Sequence, residues 1–289
     1  MFLQDTYVAG VDVGSTQAKA AILNGSAEVV GLGLCNVKGN VANAAQQVTH
    51  LALADAGVEM DALAYVVGTG YGRFRIAFGD DQITEISCHA KGAKCVFPGT
   101  QTVIDIGGQD TKAIKVGSEG NVLDFTMNDK CSAGTGRFLG AAALVLNMPV
   151  SELGAAALRS KHPVKITTTC TVFAETEIIS YLAKGKQQED ILIGMHESIV
   201  QRTVSLARRV GVVEQVTFTG GVSQNRCVVG LLERMLEVEL NVGPRSQYMG
   251  AIGAALFALE RAGGESSADV VAQSAASGHT KTEQASNRR

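Results

Sequence analysis

Tryptophan is absent from the 289 residues and aromatic residues make up only 5% of them. The chain therefore lacks the stacking platforms on which proteins hold single-stranded nucleic acid. Acids and bases are interspersed and the net charge is −3, which leaves no basic face for nucleic acid or a membrane surface. No apolar run approaches the ~18 residues of a membrane span. Met1-Phe2-Leu3-Gln4-Asp5 has neither a basic n-region nor an apolar h-region, so no secretory signal is expected. No Gly-x-x-x-x-Gly-Lys-Ser/Thr string occurs, which excludes a Walker-type loop. Cys-x-x-Cys pairs are also missing, which argues against zinc knuckles. His50, His89, His162, His196 and His279 show no ligand spacing and no partnered Ser or Cys. They read as surface or satisfied core histidines.

What is present is apolar and glycine-rich. The chain is 46% hydrophobic with 33 Gly, enough for a sizeable core in one large or two moderate domains. Six cysteines without an export signal point to a reducing, cytoplasmic compartment, where thiols pack, react or bind metal more often than they pair. Cys35, Cys88, Cys95 and Cys227 sit among apolar or small residues and read as packing cysteines.

Along the chain, Tyr7–Val13, Ala18–Leu23 and Val29–Cys35 read as strands, with Asn24-Gly25 as a hairpin turn. Residues 41–57 read as a helix ending at Gly57, and Ala64–Gly68 as a further strand. The order begins again at Thr102–Ile106, Thr111–Val116 and Val122–Met127. Two strand–Asp–Gly-turn–strand hairpins amount to a weak internal repeat, and a duplicated mixed α/β unit is the simplest architecture. Helices are expected from Gly134 to about Leu158 with a break at Pro149, and at 175–183, 190–210, 226–236 and 249–261. Strands are expected at 213–219 and 238–242. Residues 264–289 are polar and small and are expected to form a disordered tail.

Three loops carry phosphate-like chemistry. Asp12-Val13-Gly14-Ser15-Thr16 places a carboxylate at a strand end before a Gly turn with hydroxyls. Backbone N–H groups of such a turn suit phosphate oxygens, and Asp12 suits Mg²⁺ held through water. The plain alternative is a hairpin whose Asp caps its own turn. Asp105-Ile106-Gly107-Gly108-Gln109-Asp110 repeats the pattern, with Gln109 placed to orient an attacking water and Asp105 or Asp110 to assist as a base. Two such loops facing each other would cradle a polyphosphate. Thr219-Gly220-Gly221-Val222-Ser223-Gln224-Asn225 is the third. Its glycines permit close backbone approach, as an adenosine face requires; the alternative is a strand–helix turn capped by Ser223. Val67-Gly68-Thr69-Gly70-Tyr71-Gly72 only superficially resembles a dinucleotide loop, since no helix clearly opens behind it.

Cys131 and Cys170 stand apart from the other four. Each follows small or hydroxyl residues and precedes an amphipathic run, so both segments read as helix starts facing a shared site. An iron–sulfur cluster takes four thiolates, and this pair supplies two; a second copy of the chain would supply the rest. Helix N-termini favour an anionic cluster. Two unrelated thiols, one of them nucleophilic, are the alternative.

Together these strings, with Gly68-Thr69-Gly70-Tyr71-Gly72-Arg73, Asn128-Asp129-Lys130-Cys131, Gly134-Thr135-Gly136-Arg137-Phe138 and Cys170-Thr171-Val172-Phe173-Ala174-Glu175, resemble the activator ATPases of 2-hydroxyacyl-CoA dehydratases. They also resemble the ATP-binding subunits of benzoyl-CoA reductase. Both belong to the BadF/BadG/BcrA/BcrD-type ATPases. The resemblance covers residues 7 to about 262. It implies an α/β fold of two RNase H-like lobes of the acetate and sugar kinase/Hsc70/actin superfold, with nucleotide between them. The N-terminal lobe would be residues 1–98, completed by a helix at about 248–262, and the C-terminal lobe residues 99–247.

The resemblance further implies one [4Fe–4S] cluster per two-fold dimer, held by Cys131 and Cys170 of each protomer. ATP or ADP with Mg²⁺ would sit against Gly14, Ser15, Thr16, Lys19, Gly107, Gly108, Gln109, Gly220, Gly221 and Gln247, with Asp12, Asp105 and Gln109 catalytic. A ferredoxin or flavodoxin would reduce the cluster. ATP hydrolysis would close the lobes, swing the cysteine-bearing helices and drive one electron to a CoA-thioester dehydratase or reductase. A homologous subunit in place of one protomer, a cluster-free small-molecule kinase of the same superfold, and a nucleotide-switched scaffold are the competing expectations.

Overall fold

The computed structural model describes residues 6–166 and 171–263. In chain order the elements are β1 (Tyr7–Val13), β2 (Gln17–Asn24), β3 (Val29–Asn36), α1 (Val41–Ala56), β4 (Leu63–Thr69), β5 (Asp81–Gln82) and α2 (Glu85–Val96). Next come β6 (Thr102–Ile106), β7 (Thr111–Val116), β8 (Val122–Asn128), α3 (Gly136–Val145), α4 (Val150–Ala157), α5 (Thr171–Ala183) and α6 (Gln188–Val210). The last described elements are β9 (Val216–Thr219), α7 (Arg226–Leu236), β10 (Leu240–Asn241) and α8 (Met249–Arg261).

The chain divides into two compact units. Among the described residues one takes 6–101, 116–123 and 248–263, and the other takes 102–115 and the described part of 124–247. Each holds a five-stranded sheet, ordered β3-β2-β1-β4-β5 in the first and β10-β9-β6-β7-β8 in the second. Read from the hairpin side these are one topology. The central strand (β1 or β6) pairs antiparallel with its hairpin partner and parallel with the strand that follows the helical crossover. The repeat seen as two Asp–Gly hairpins is thus a repeat of whole sheets.

In the first unit, residue parity assigns each side chain of β1 to a layer, because successive side chains alternate across a sheet. Ala9, Val11 and Val13 pack with Ala45, Val48 and Ala52 of α1. Val8 packs on the opposite face with Ala251, Ala254 and Leu259 of α8. With both faces covered, β1 reads as a continuous apolar run. Helix α1 starts at Asn40, whose side chain accepts from Asn43 N, and stops at Gly57 in the left-handed conformation (φ 66°). Helix α2 has no large apolar stripe. It meets α8 backbone to backbone: a Cβ at Gly92 would strike Met249 O, and one at Gly253 would strike Cys88 O.

In the second unit the core gathers Ile104 and Ile106 of β6, Phe138 of α3, Leu153 of α4, Ile178 of α5, Met195 of α6 and Phe218 of β9. Four local expectations change. The helix expected over 134–158 is two helices, separated at Leu146–Pro149, with Pro149 at the N-cap of α4. Helix α5 begins at Thr171, ahead of the expected Glu175. Strand β9 starts only at Val216, which pairs with Thr102 at the foot of β6. Strand β10 keeps two residues, Leu240 and Asn241. Residues 264–289, expected as a tail, and Cys170 lie outside the described residues. Among the described residues no single helix is long and apolar enough to cross a membrane.

Candidate functional site

In the first unit, β1 delivers Asp12 to the sheet's end, paired across to Lys19 on β2 and to Thr69 on β4. Asp12 is 8% exposed and Lys19 is buried with it. The turn closes by Gly14 N donating to Gln17 O at 3.1 Å. Ser15 is half-buried and Thr16 exposed at the tip. Two glycines wall the carboxylate. A Cβ at Gly70, which has φ 84°, would strike Asp12 Oδ1. One at Gly250, in the first turn of α8, would lie 2.7 Å from Asp12 Oδ2 and 2.9 Å from His89 Nε2. His89 therefore shares the Asp12 pocket, a position its spacing in the sequence did not reveal.

In the second unit, β6 and β9 run parallel with Asp105 opposite Thr219. Their carboxyl ends bring two of the three phosphate-like loops side by side, where open α/β sheets hold ligands. Asp105 is 2% exposed. Thr219 Oγ1 donates to its Oδ1 at 3.0 Å and Lys112 Nζ to its Oδ2 at 3.3 Å. Lys112 also reaches Asp110 Oδ2 at 2.8 Å. Lys112 is thus a buried cation between two carboxylates, and it was not among the residues expected from sequence. The signal was available: a short hairpin loop puts Lys112 directly across from Asp105. With both oxygens engaged, Asp105 orders the loop and is poorly placed to accept a proton.

The Gly107–Asp110 turn closes through Gly107 N to Asp110 O at 2.9 Å. Gly107 and Gly108 are half-buried and Gln109 is exposed. Gly220 adopts φ 85° and packs its α-carbon against Ile106 O and Asp105 Oδ1, where a Cβ would not fit. Gly220 N donates to Ser246 O at 3.3 Å, which ties the loop to the turn carrying Gln247. Past Gly221 the cap of α7 is Asn225, not Ser223: Asn225 Oδ1 accepts from Cys227 N and Val228 N. Ser223 Oγ donates instead to Gly220 O at 2.7 Å. His196 Nε2 is 2.9 Å from Asn225 Nδ2, and His196 Nδ1 is 2.7 Å from Leu192 O. His196 is completely buried, and burial lowers its pKa to about 4.

Cys131 is not at a helix start. It lies in the connection between β8 and α3, ahead of the Ser132–Thr135 turn that precedes Gly136. Asn128 fixes it with two bonds, Nδ2 to Cys131 O at 2.7 Å and Cys131 N to Oδ1 at 3.2 Å. The thiol is half-buried and unpaired, whereas Cys35, Cys88 and Cys227 are buried. Burial raises the Cys88 thiol to about 12 and the Cys227 thiol to about 11, so these two behave as packing groups. Among the described residues no three His, Cys, Asp or Glu side chains converge as a metal site. A cavity of about 350 Å³ opens beside Cys131, lined by Gln109, Asp129, Lys130, Ser132, Arg137, Ala141 and Glu175. Gln109 and the Cys131 segment therefore face one space.

The family model described as the BadF/BadG/BcrA/BcrD ATPase family matches residues 9–258. The chain is 46% identical over 257 residues to the (R)-2-hydroxyglutaryl-CoA dehydratase activating ATPase of Acidaminococcus fermentans, covering 89% of this chain and 98% of that one. The crystal structure of that organism's (R)-2-hydroxyglutaryl-CoA dehydratase component A superposes with a TM-score of 0.85 over 89% of this chain and 99% of that chain. The activator of the 2-hydroxyisocaproyl-CoA dehydratase from Clostridium difficile, solved with bound ADPNP, is 41% identical with a TM-score of 0.85, over 89% and 96% of the two chains. One of the subunits of the benzoyl-CoA reductase of Thauera aromatica is 31% identical over 75% of this chain and 79% of that one.

Proposed function

This chain belongs to the BadF/BadG/BcrA/BcrD ATPase family, and from that membership we propose that it is the ATP-driven activator of a 2-hydroxyacyl-CoA dehydratase. Its fold is the α/β fold of the acetate and sugar kinase/Hsc70/actin superfold, and it is an ATPase. The observation that carries the proposal is the pair of loops at the carboxyl ends of β6 and β9, with Asp105 held between Lys112 and Thr219. The dehydratase reading is preferred to a role within benzoyl-CoA reductase because the activating ATPase matches over 98% of its length at 46% identity, against 79% and 31% for the reductase subunit.

Each residue has a proposed task. The N–H groups of Gly108 and Gln109 donate to phosphate oxygens, as concave backbone turns do, while Gly107 N closes the turn onto Asp110 O. Gly14, Ser15, Thr16 and Lys19 form the matching loop of the first unit. Gly220, Gly221 and Gln247 face the nucleoside. Gln109, exposed at the tip of its turn, orients the attacking water. Asp12 holds Mg²⁺ through water. The donor chemistry fits, since it is a carboxylate at a strand end hemmed by Gly70 and Gly250, and Mg²⁺ keeps most of its waters. Gly250→Ala would push that carboxylate aside, and ATP turnover is expected to fall by at least about tenfold while the far-UV circular dichroism stays native.

Cys131 and Cys170 are proposed to hold a [4Fe–4S] cluster shared between two copies of the chain. Cys131 fits as a ligand: its thiol is unpaired and accessible, and its backbone is fixed by Asn128. When bound, such a cluster supplies one-electron transfer at low potential. A second copy is supported by the apolar surface of α5, where Phe173 is 66% and Ile179 54% exposed in the helix that follows Cys170. A ferredoxin or flavodoxin donor and a CoA-thioester dehydratase acceptor complete the proposal. Anaerobic purification with iron and sulfide analysis tests it. About two irons per chain are expected. Cys131→Ala is expected to lose the iron and still bind nucleotide, because no nucleotide loop includes Cys131. Substrate-stimulated ATP turnover by an iron-free wild-type protein would point to a kinase instead.

A further inference from the structure

The phosphate loop and the Cys131 segment are one hydrogen-bonded block. Gly107 O accepts from Gly136 N at 2.9 Å and Gly108 O from Arg137 N at 2.8 Å. The first turn of α3 is therefore bonded to the carbonyls of the two glycines that shape the proposed phosphate turn. A third tie comes from a side chain. Thr111, 2% exposed at the start of β7, donates from Oγ1 to Gly134 O at 2.6 Å. Thr111 follows Asp110, whose own carbonyl closes the phosphate turn by accepting from Gly107 N. At the far end of the segment Asn128 locks Cys131 by two bonds. Between them, Thr135 is buried and bonds Ser132 O through both its N–H and its hydroxyl.

We infer that Thr111 is a positioning residue that makes the Cys131 turn follow the phosphate loop. This deepens the functional reading above and rests on it. A change in the peptide planes at Gly107 and Gly108 moves the carbonyls that Gly136 and Arg137 hold. Thr111, on the other arm of the hairpin, keeps Gly134 moving with them. Without the hydroxyl, Gly134 O loses its bond to β7, while Gly136 and Arg137 keep theirs to the glycine carbonyls. Nucleotide state and the thiolate environment of Cys131 then uncouple. Coupling of this kind is reciprocal: whatever ATP does to the state of the Cys131 site, that site must do to ATP affinity. It is established only by a measured coupling, not by adjacency.

The test uses the full-length protein purified without oxygen, as wild type, Thr111→Val and Thr111→Ser. Iron content, ATP affinity, the electron paramagnetic resonance spectrum of the reduced protein and the rate of iron release to a chelator are measured with ADP and with ATP. Wild type is expected to change spectrum and release rate with ATP, by at least about fivefold in rate. Thr111→Val is expected to keep iron and ATP affinity but lose that response, and Thr111→Ser to regain it. A Thr111→Val protein that responds like wild type overturns the inference. So does one that loses iron or ATP binding outright, because Thr111 is then part of a site rather than a link. Equal ATP affinity of oxidised and reduced wild-type protein overturns it without any variant. An iron-free wild type overturns the functional reading itself, which is a separate outcome.

Discussion

Lys112→Met is expected to lower the stability of the protein by about 3–5 kcal/mol, the usual cost of removing one partner from a buried ion pair, and to abolish ATP turnover. Lys112 is buried, and it holds Asp105 at 3.3 Å and Asp110 at 2.8 Å. Methionine keeps the stem and the apolar packing while deleting the charge. What remains is Asp105, almost fully buried, with Thr219 still donating to one oxygen and the ammonium gone from the other. Such a carboxylate is costly to keep ionised in the sheet. Asp110, more accessible, can turn to water, so the loss falls chiefly on Asp105. Catalysis suffers for a second reason. Asp105 and Asp110 flank the Gly107–Gln109 turn, and like charges left at its two ends push it open just where phosphate oxygens are to be received. Urea unfolding read beside ATP hydrolysis checks both halves. The double variant Lys112→Met with Asp105→Asn should recover part of the stability but none of the activity. A Lys112→Met protein as stable as wild type would show that the carboxylates do not depend on this cation.

The two Asp–Gly hairpins can be read from sequence because each loop repeats one order of residues: an apolar strand, an Asp at its end, glycine, then an apolar strand. The cross-strand partner is harder to read. In Thr111-Lys112-Ala113-Ile114-Lys115-Val116 the two lysines are three residues apart and lie on opposite faces of the strand, and each face also carries apolar residues, so period alone cannot tell that Lys112 is buried while Lys115 is half-buried. Register decides it, and register follows from loop length. Helix α2 escapes a periodic reading for a different reason. Its buried residues are Cys88, His89, Ala90, Lys91, Gly92, Ala93 and Lys94, small or charged, because α8 approaches at backbone distance and leaves no room for a leucine stripe. Lys91 is buried along its stem and paired with Glu260 at 2.7 Å. The start of α3 is displaced from Cys131 because Ser132, Gly134 and Thr135 favour a turn, where hydroxyls compete for backbone groups. Asn225 caps α7 because it stands immediately ahead of Arg226, whereas Ser223 lies inside the short helical turn Gly221–Gln224.

Acid is expected to unlock the protein through His196, by about 3 kcal/mol between pH 6.5 and 4. The carbonyl of Leu192 can only accept, so His196 Nδ1 carries the proton and Nε2 accepts from Asn225 Nδ2. The amide of Asn225 is thereby turned so that Oδ1 caps α7 directly behind the Gly220–Gly221 loop. Burial is the main cause of the low pKa, opposed by the bond to Leu192. In the unfolded chain the imidazole protonates near its ordinary 6.5, and in the folded chain only near about 4. Between those values the unfolded state binds more protons, so stability falls as pH falls, is complete above 6.5 and levels off below 4. Asp190 adds a later loss. Ser160 Oγ and the N–H groups of His162 and Lys161 hold its carboxyl below the usual range, so its contribution disappears only at still lower pH. His196→Gln, which can donate to Leu192 O and accept from Asn225, should flatten the urea midpoint between pH 6.5 and 4 while leaving the Asp190 fall in place. A midpoint that drops just as steeply in that variant over the same interval would mean that another group, and not this imidazole, is taking up the protons.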